Sequence, residues 1–236
     1  MDSAKNVAVT AGYITEKARE EFFSVLDAAD IDLKAFTDGF YRALCSAELK
    51  PILEILEYVK RETGVWLEIT TQLIPGHNDN PLKIDALSEW IVNRLGPDVP
   101  LHFSAYHSDW KMHDVPGTPA ATLVLARGIA KSVGLRHVYT GNVRDELGQS
   151  TYCHACGTCA IGRDWYEITS WVLDESGCCR SCGAQAFSKK DPARGGRGGC
   201  RSSWAETDQH WASFKLHEGP PRRRPHLGDG RRCRVK

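Results

Sequence analysis

The sequence has little that would direct it to a membrane, to nucleic acid or out of the cell. Its 30 Lys and Arg are balanced by 30 Asp and Glu, so a formal net charge of zero provides no electrostatic basis for binding nucleic acid or an anionic membrane. No apolar run approaches the roughly 20 residues needed to span a bilayer. The segment from Met1 to Asn6 lacks the pattern of a signal peptide. We therefore expect a cytoplasmic protein with neither a nucleic-acid nor a membrane partner.

Cysteine is almost absent from the first two thirds of the chain and is dense afterwards. Cys45 is the only cysteine before residue 150, whereas six lie between Cys153 and Cys182. In a reducing compartment such clustering favours a metal site over disulfide bonds.

Short apolar runs alternate with longer amphipathic runs from residue 7 to residue 139. This alternation predicts βαβ units and a parallel sheet, built as an open doubly wound sheet or as a barrel. In both architectures ligands bind at the carboxyl ends of the strands. The predicted strands are 7–9, 29–33, 65–73, 100–104 and 137–140, and the predicted helices are 16–28, 47–62, 82–95 and 119–133.

Three predicted strand ends carry polar residues that a purely structural strand would not need. Asp32 and Lys34 point the same way and could bind a carboxylate, an ammonium or a ribose, or could form a plain ion pair. In the next turn Gly76 would let a ligand approach the backbone and Asn78 could bond a hydroxyl, unless the turn is an ordinary one. His107 follows the fourth strand and is either a ligand contact or structural. A Schiff base on Lys34, as in a barrel aldolase, is a further option.

The C-terminal cysteines form two Cys-x2-Cys pairs with 22 residues between them. A glycine follows each pair and permits the positive φ that turns backbone amides toward thiolate sulfur. This pattern predicts a zinc-ribbon or rubredoxin-like unit holding structural Zn(II) or a single Fe, with strands at 165–168 and 171–173. Cys159 and Cys178 would be spare thiols or alternative ligands. The predicted metal ligands are Cys153, Cys156, Cys179 and Cys182.

These features divide the chain into three parts. Residues 1–145 form the predicted α/β domain and residues 150–187 form the four-cysteine ribbon. Residues 188–236 contain Arg-Gly-Gly repeats and little apolar periodicity, so we expect a disordered Arg/Gly/Pro-rich tail that could be out-of-frame translation.

The order of the strand-end motifs resembles that of the glycyl-radical-enzyme activases, within the radical S-adenosylmethionine (SAM) enzymes, and most of all the AmmeMemoRadiSam system. The resemblance runs from about Thr10 to Cys182. Its most specific pieces are Asp-Leu-Lys-Ala-Phe-Thr-Asp at 32–38 and Tyr-Thr-Gly-Asn-Val at 139–143. Thr-Ala-Gly-Tyr at 10–13 matches a turn of the family, but this chain has Ala11 where the family usually has Asn.

The resemblance implies a partial (β/α) TIM-like barrel that binds SAM and acts on a glycyl-radical protein or another polypeptide. It implies that a [4Fe–4S] cluster cleaves SAM reductively to a 5′-deoxyadenosyl radical. Asp32 and Lys34 would border the SAM and substrate site, and His107 would contact SAM. Residues 74–78 would lie beside the adenosine. The implied cofactor-binding residues are Asp32, Lys34, Ile74, Gly76, Asn78 and His107.

The sequence departs from this family at the cluster. The family's Cys-x3-Cys-x2-Cys follows its first strand, whereas here only Cys45 precedes residue 150. Cys153, Cys156 and Cys159 have the wrong spacing and follow the last strand. We therefore expect a fragment without the first strands, inactive alone and with no catalytic residue assigned. The alternative is a non-catalytic zinc-ribbon binding module on a degenerate α/β scaffold.

Overall fold

The computed structural model describes residues 5–109 and 112–187. It divides into one compact unit that ends at Gly148 and a second that begins at Gln149. The predicted disordered tail at 188–236 lies outside the described residues.

The first unit contains a five-stranded parallel sheet in the order β1-β2-β3-β4-β5. Each strand lies within one residue of its predicted position, so the predicted parallel α/β sheet is confirmed. The strands are β1 (Val7–Thr10), β2 (Ala28–Asp32), β3 (Trp66–Leu73), β4 (Leu101–Ala105) and β5 (Val138–Gly141).

The strand order separates the two predicted architectures. A doubly wound sheet reverses its strand order at a switch point, whereas a barrel adds strands in one direction. The sequential order found here is that of the barrel type. Within the described residues the sheet is open, because β1 and β5 are not paired with each other.

The helices follow the predicted alternation with two differences. The first predicted helix is wrong in its last turn: it ends at Ser24, because the side chain of Asn6 donates to the carbonyl of Val25 and the chain turns into β2. Two short helices, Asp38–Phe40 and Glu146–Gln149, and a π-helical turn at Tyr41–Cys45 were not predicted. The helices are α1 (Glu16–Ser24), α2 (Asp38–Phe40), α3 (Leu49–Glu62), α4 (Pro81–Arg94), α5 (Ala120–Val133) and α6 (Glu146–Gln149).

One face of the sheet forms the hydrophobic core with these helices. Alternate residues of β2 to β4, such as Ile31, Ile69 and Phe103, are fully buried and pack in one cluster with apolar residues of α3, α4 and α5. Among the described residues, none of the helices has the length and apolar character required to cross a bilayer.

The second unit is a small antiparallel sheet of β6 (Thr151–Tyr152), β7 (Cys159–Asp164) and β8 (Glu167–Trp171). The predicted strand at 165–168 is wrong in its first half, since Trp165 has a φ of 62° and Tyr166 follows it in the hairpin turn. Their rings are partly exposed and contact each other edge to face.

Candidate functional site

The second face of the parallel sheet is polar, although three of the strands that carry it, β2, β3 and β4, are central. Because side chains alternate along a strand, every second residue of β2 to β5 points to this side. The first face packs against the helices through hydrophobic contacts, whereas the second face carries hydrogen-bonding groups. We call this second surface the polar face, and its residues are Asp30, Asp32, Glu68, Thr70, Gln72, His102, Ser104 and Tyr139.

Two groups of side chains on the polar face are in contact. The hydroxyl of Thr70 donates to Asp30 Oδ2 at 2.8 Å. His102 Nε2 lies 2.7 Å from Glu68 Oε2, and the His102 ring stacks on Tyr139 with 5.0 Å between centroids. Sequence analysis named only Asp32 on this face. The period-two spacing of polar residues in β2, β3 and β4 was a signal that could have identified it.

Asp32 and Lys34 meet at the carboxyl end of β2. Lys34 Nζ lies 2.8 Å from Asp32 Oδ2, and both side chains remain partly open to solvent. The backbone N–H of Lys34 donates to the Tyr41 hydroxyl at 3.0 Å. Burial raises the pKa of Tyr41 to about 12, so this ring stays a neutral phenol. Tyr41 begins the π-helical turn, a feature often found near functional sites.

The turn after β3 contains Asn78, whose side chain is used by the fold itself. Asn78 is buried, and its amide donates to the carbonyls of Lys34 at 2.7 Å and Gln72 at 2.8 Å. Its oxygen accepts from the N–H of Ile74 at 2.6 Å. Asn78 therefore contacts Lys34, but at its backbone carbonyl and not at its ammonium group.

Gly76 and Ile74 lie in the same turn. Gly76 has a φ of 76°, and a Cβ built there would meet nothing within 4 Å, so its backbone borders open space. Its N–H donates to Asp79 Oδ1 at 2.9 Å, and Ile74 is half-buried.

His107 follows β4 at the same sheet edge and is exposed. The preceding loop is anchored by Thr118, which sequence analysis missed. The Thr118 hydroxyl oxygen accepts from the N–H of Tyr106 at 3.0 Å, and the hydroxyl donates to the carbonyl of Leu73. None of the described residues hydrogen-bonds the His107 ring, so no hydrogen bond joins His107 to Lys34 or Asn78 at this edge. Trp110 and Lys111, which follow it, lie outside the described residues.

The four predicted cysteine ligands come together in the second unit, and all their sulfurs lie within 4.8 Å of one another. The sulfur of Cys153 lies 3.6 Å from that of Cys182, and the sulfur of Cys156 lies 3.8 Å from that of Cys179. Four thiolates about 2.3 Å from a tetrahedral Zn(II) would be about 3.8 Å apart, so the group fits such an ion.

The backbone around the four-cysteine group has the expected form. Gly157 and Gly183 have positive φ, and their N–H groups donate to the carbonyls of Cys153 and Cys179, respectively. Hydrogen bonds with Thr158 lower the pKa of the Cys156 thiol to about 6, whereas the neighbouring Cys156 sulfur raises the pKa of the Cys182 thiol to about 12. A metal would have to bind both sulfurs as thiolates.

Comparison with known proteins finds similarity in sequence to a curated protein and similarity in fold to solved structures. No protein-family model matches the chain. The chain is 39% identical over 179 residues to the uncharacterized protein MJ0808 of Methanocaldococcus jannaschii, a match that covers 75% of this chain and 53% of that protein. The chain thus spans about half the length of this curated relative.

The fold is similar to a domain of pyruvate-formate lyase-activating enzyme from Bacteroides vulgatus, with a TM-score of 0.51 and 18% identity. This similarity covers 58% of this chain and 81% of that one, and at this identity it concerns the fold alone. A structure of TYW1 with a lysine-pyruvate adduct bound gives a TM-score of 0.40 at 21% identity, covering 58% of this chain and 42% of that one.

Proposed function

We propose that this chain is part of a radical SAM enzyme of the glycyl-radical-activase kind, related to the AmmeMemoRadiSam system. In this proposal the polar face and its carboxyl edge bind SAM and a polypeptide substrate. The observation that carries it is the polar face itself, which ends at the Asp32–Lys34 pair. The fold shared with a domain of an activating enzyme supports the proposal.

The iron–sulfur cluster of such enzymes would supply the electron that cleaves SAM. The residues present do not fit that cluster. Three thiolates are needed, and Cys45 is the only cysteine in the described part of the sheet unit. The proposal for this chain therefore concerns binding. Asp32 and Lys34 would contact polar groups of SAM, the open backbone at Gly76 would lie beside its adenosine, and His107 would complete the edge.

Isothermal titration of the full chain with SAM tests this proposal. Asp32→Asn and Lys34→Met each remove one charge of the pair and should weaken binding about tenfold, or about 1.4 kcal/mol. Lys50→Met is the matched control, because Lys50 is an exposed lysine of α3 whose ion pair is with Glu54. Its affinity should stay within about twofold of the unmodified chain.

Two results would contradict the proposal. One is the absence of SAM binding to the unmodified chain, and the other is equal affinity in all three variants. Anaerobic treatment with iron and sulfide tests the cluster separately. A bound [4Fe–4S] cluster with SAM cleavage by this chain alone would show that its cysteines suffice.

The second candidate is a non-catalytic zinc-ribbon binding module, favoured by the four-cysteine geometry. Its α/β unit would act as a scaffold. It predicts one zinc per chain and no heat on titration with SAM, so the same titration separates the two functions.

A further inference from the structure

Glu68 lies in the middle of the polar face and links two aromatic side chains. Its Oε2 lies 2.7 Å from His102 Nε2, and its Oε1 accepts from Trp66 Nε1 at 2.9 Å. The Glu68 side chain is only 11% exposed and that of His102 is 22% exposed. Burying a carboxylate is costly unless it is paired, so this arrangement needs a physical reason.

The two contacts of Glu68 determine which nitrogen of His102 carries the proton. An ionised carboxylate can only accept hydrogen bonds, so His102 Nε2 must be the donor. In the neutral ring Nδ1 then has a lone pair. No described residue hydrogen-bonds this nitrogen. The stacking on Tyr139, with 25° between the planes, holds the ring in place.

A metal role for this pair is not supported by its neighbours. Among the residues that the structure describes, the group of three or more His, Cys, Asp or Glu able to hold an ion is the four-cysteine set. Water is the default partner of such a nitrogen, and an organic ligand with a hydrogen-bond donor could take its place. In the described part of the sheet, Asp30, Asp32 and Glu68 outnumber the ammonium of Lys34, which makes the polar face unfavourable for an anion.

We propose that His102 Nδ1 accepts a hydrogen bond from an amide N–H of a polypeptide ligand bound on the polar face. Glu68 and Trp66 are positioning residues that fix the tautomer of His102. This inference rests on the proposed function and names the substrate group that the polar face recognises.

Glu68→Gln tests the positioning role because Trp66 fixes the orientation of the new amide. The Trp66 N–H can only donate, so it holds the Gln oxygen and turns the amide NH2 toward His102. His102 Nε2 must then accept and Nδ1 must carry the proton. The substitution thus replaces the acceptor at Nδ1 by a donor with little change in volume.

The tautomer can be measured by two-dimensional 15N NMR of the full chain labelled at histidine. His102→Gln identifies the His102 resonances by their loss and keeps an amide donor that can reach Glu68. We expect the Nε2–H form in the unmodified chain and the Nδ1–H form in Glu68→Gln. The Nδ1–H form in the unmodified chain, or no change in Glu68→Gln, would overturn the positioning role.

The ligand is tested with two probes of the same size, N-acetylglycinamide and the anionic N-acetylglycine. N-acetylglycinamide should move the His102 Nδ1 resonance saturably, and the affinity measured from this resonance should fall about tenfold in Glu68→Gln. N-acetylglycine should leave the resonance unchanged. The proposal is overturned if N-acetylglycinamide leaves the His102 Nδ1 resonance unchanged.

Neither NMR measurement contains SAM, so its outcome is independent of the SAM titration. A chain with the expected tautomer and amide response but no SAM affinity would keep this inference and refute the radical SAM assignment.

Discussion

Asn78 Nδ2 donates a 2.7 Å hydrogen bond to the carbonyl oxygen of Lys34, across 44 residues of sequence. The same amide donates to the carbonyl of Gln72, and its oxygen accepts from the N–H of Ile74. One buried side chain therefore ties the end of β2 to the turn after β3. This contact holds the backbone of Lys34 at the edge where a ligand is proposed.

Replacing Asn78 should cost substantial stability. Asn78→Ala leaves two carbonyls and one N–H without this partner, so we expect a loss of about 2–3 kcal/mol in urea unfolding. Asn93→Ala is the control, because Asn93 is exposed on α4, and it should change stability by less than about 0.5 kcal/mol. If both variants unfold at the same urea concentration, the three hydrogen bonds do not stabilise the fold.

The sequence predicted the parallel sheet almost completely but did not predict this contact. The strands could be predicted because short apolar runs alternate with amphipathic helices, which is a local pattern. Ile69 and Phe103 belong to such runs and are fully buried in the structure. The role of Asn78 depends on a carbonyl that only the folded chain brings near. The π-helical turn at Tyr41–Cys45 was missed for a similar reason, since Tyr41 is held there by the backbone of Lys34.

Gly12 supplies a second stability test, at the end of β1. It has a φ of 68°, and a Cβ built there would lie 2.8 Å from Ile31 Cγ2, which belongs to a fully buried side chain. Gly12→Ala therefore combines a left-handed backbone with overpacking, and should cost about 2–4 kcal/mol in thermal or urea unfolding.

Gly128→Ala is the matched control for Gly12. Gly128 is an exposed glycine inside α5, and a Cβ there would meet nothing within 4 Å. Alanine favours helix, so this variant should gain about 0.5–1 kcal/mol. Equal effects of the two substitutions would mean that the tight turn after Thr10 relaxes freely.

Metal removal should unfold the second unit while the sheet unit stays folded. The hydrophobic core around the four-cysteine group contains four buried residues, Ala160, Ile161, Leu173 and Ala186, which is too few to stabilise a domain alone. A structural zinc site can supply about 10 kcal/mol. Chelation should therefore collapse the amide NMR dispersion of residues 150–187. Metal analysis before chelation should give one ion per chain.

The cysteine substitutions separate ligands from neighbours. Cys179→Ser removes a buried member of the group and should reduce the bound metal by at least about tenfold. Cys178→Ser is the control, because Cys178 is adjacent in sequence but lies outside the group, and it should retain one ion. If Cys178→Ser loses the metal and Cys179→Ser retains it, the ligands have been assigned wrongly.

The two parts of the candidate site differ in how well the sequence predicted them. The four-cysteine group was predicted because its spacing is local and each pair is followed by a glycine. The polar face was largely missed because its residues come from four strands that are distant from one another in the sequence. Glu68 and His102 are 34 residues apart, and only the register of β3 and β4 brings them within 2.7 Å.

The last prediction concerns acid sensitivity at the contact between α3 and α4. Arg94 on α4 makes two hydrogen bonds to Glu57 on α3, at 2.7 Å and 3.0 Å, and Arg61 adds an ion pair at 3.3 Å. The hydrogen bond from Arg94 holds the pKa of Glu57 below its usual value. A carboxyl whose pKa is depressed by folding stabilises the protein above its unfolded pKa, and this contribution is lost as the pH falls through the folded pKa.

Glu57→Gln should therefore lower the free energy of unfolding by about 0.5–1 kcal/mol at pH 7, because the pair is partly exposed. The difference from the unmodified chain should shrink as the pH falls below about 4, the usual range for a Glu. Glu54→Gln is the control, since Glu54 pairs only with exposed Lys50 at 3.5 Å, and it should have a smaller effect. Urea unfolding at several pH values measures both. A Glu57→Gln difference that persists at low pH would show that packing of the side chain, and not its charge, stabilises this contact.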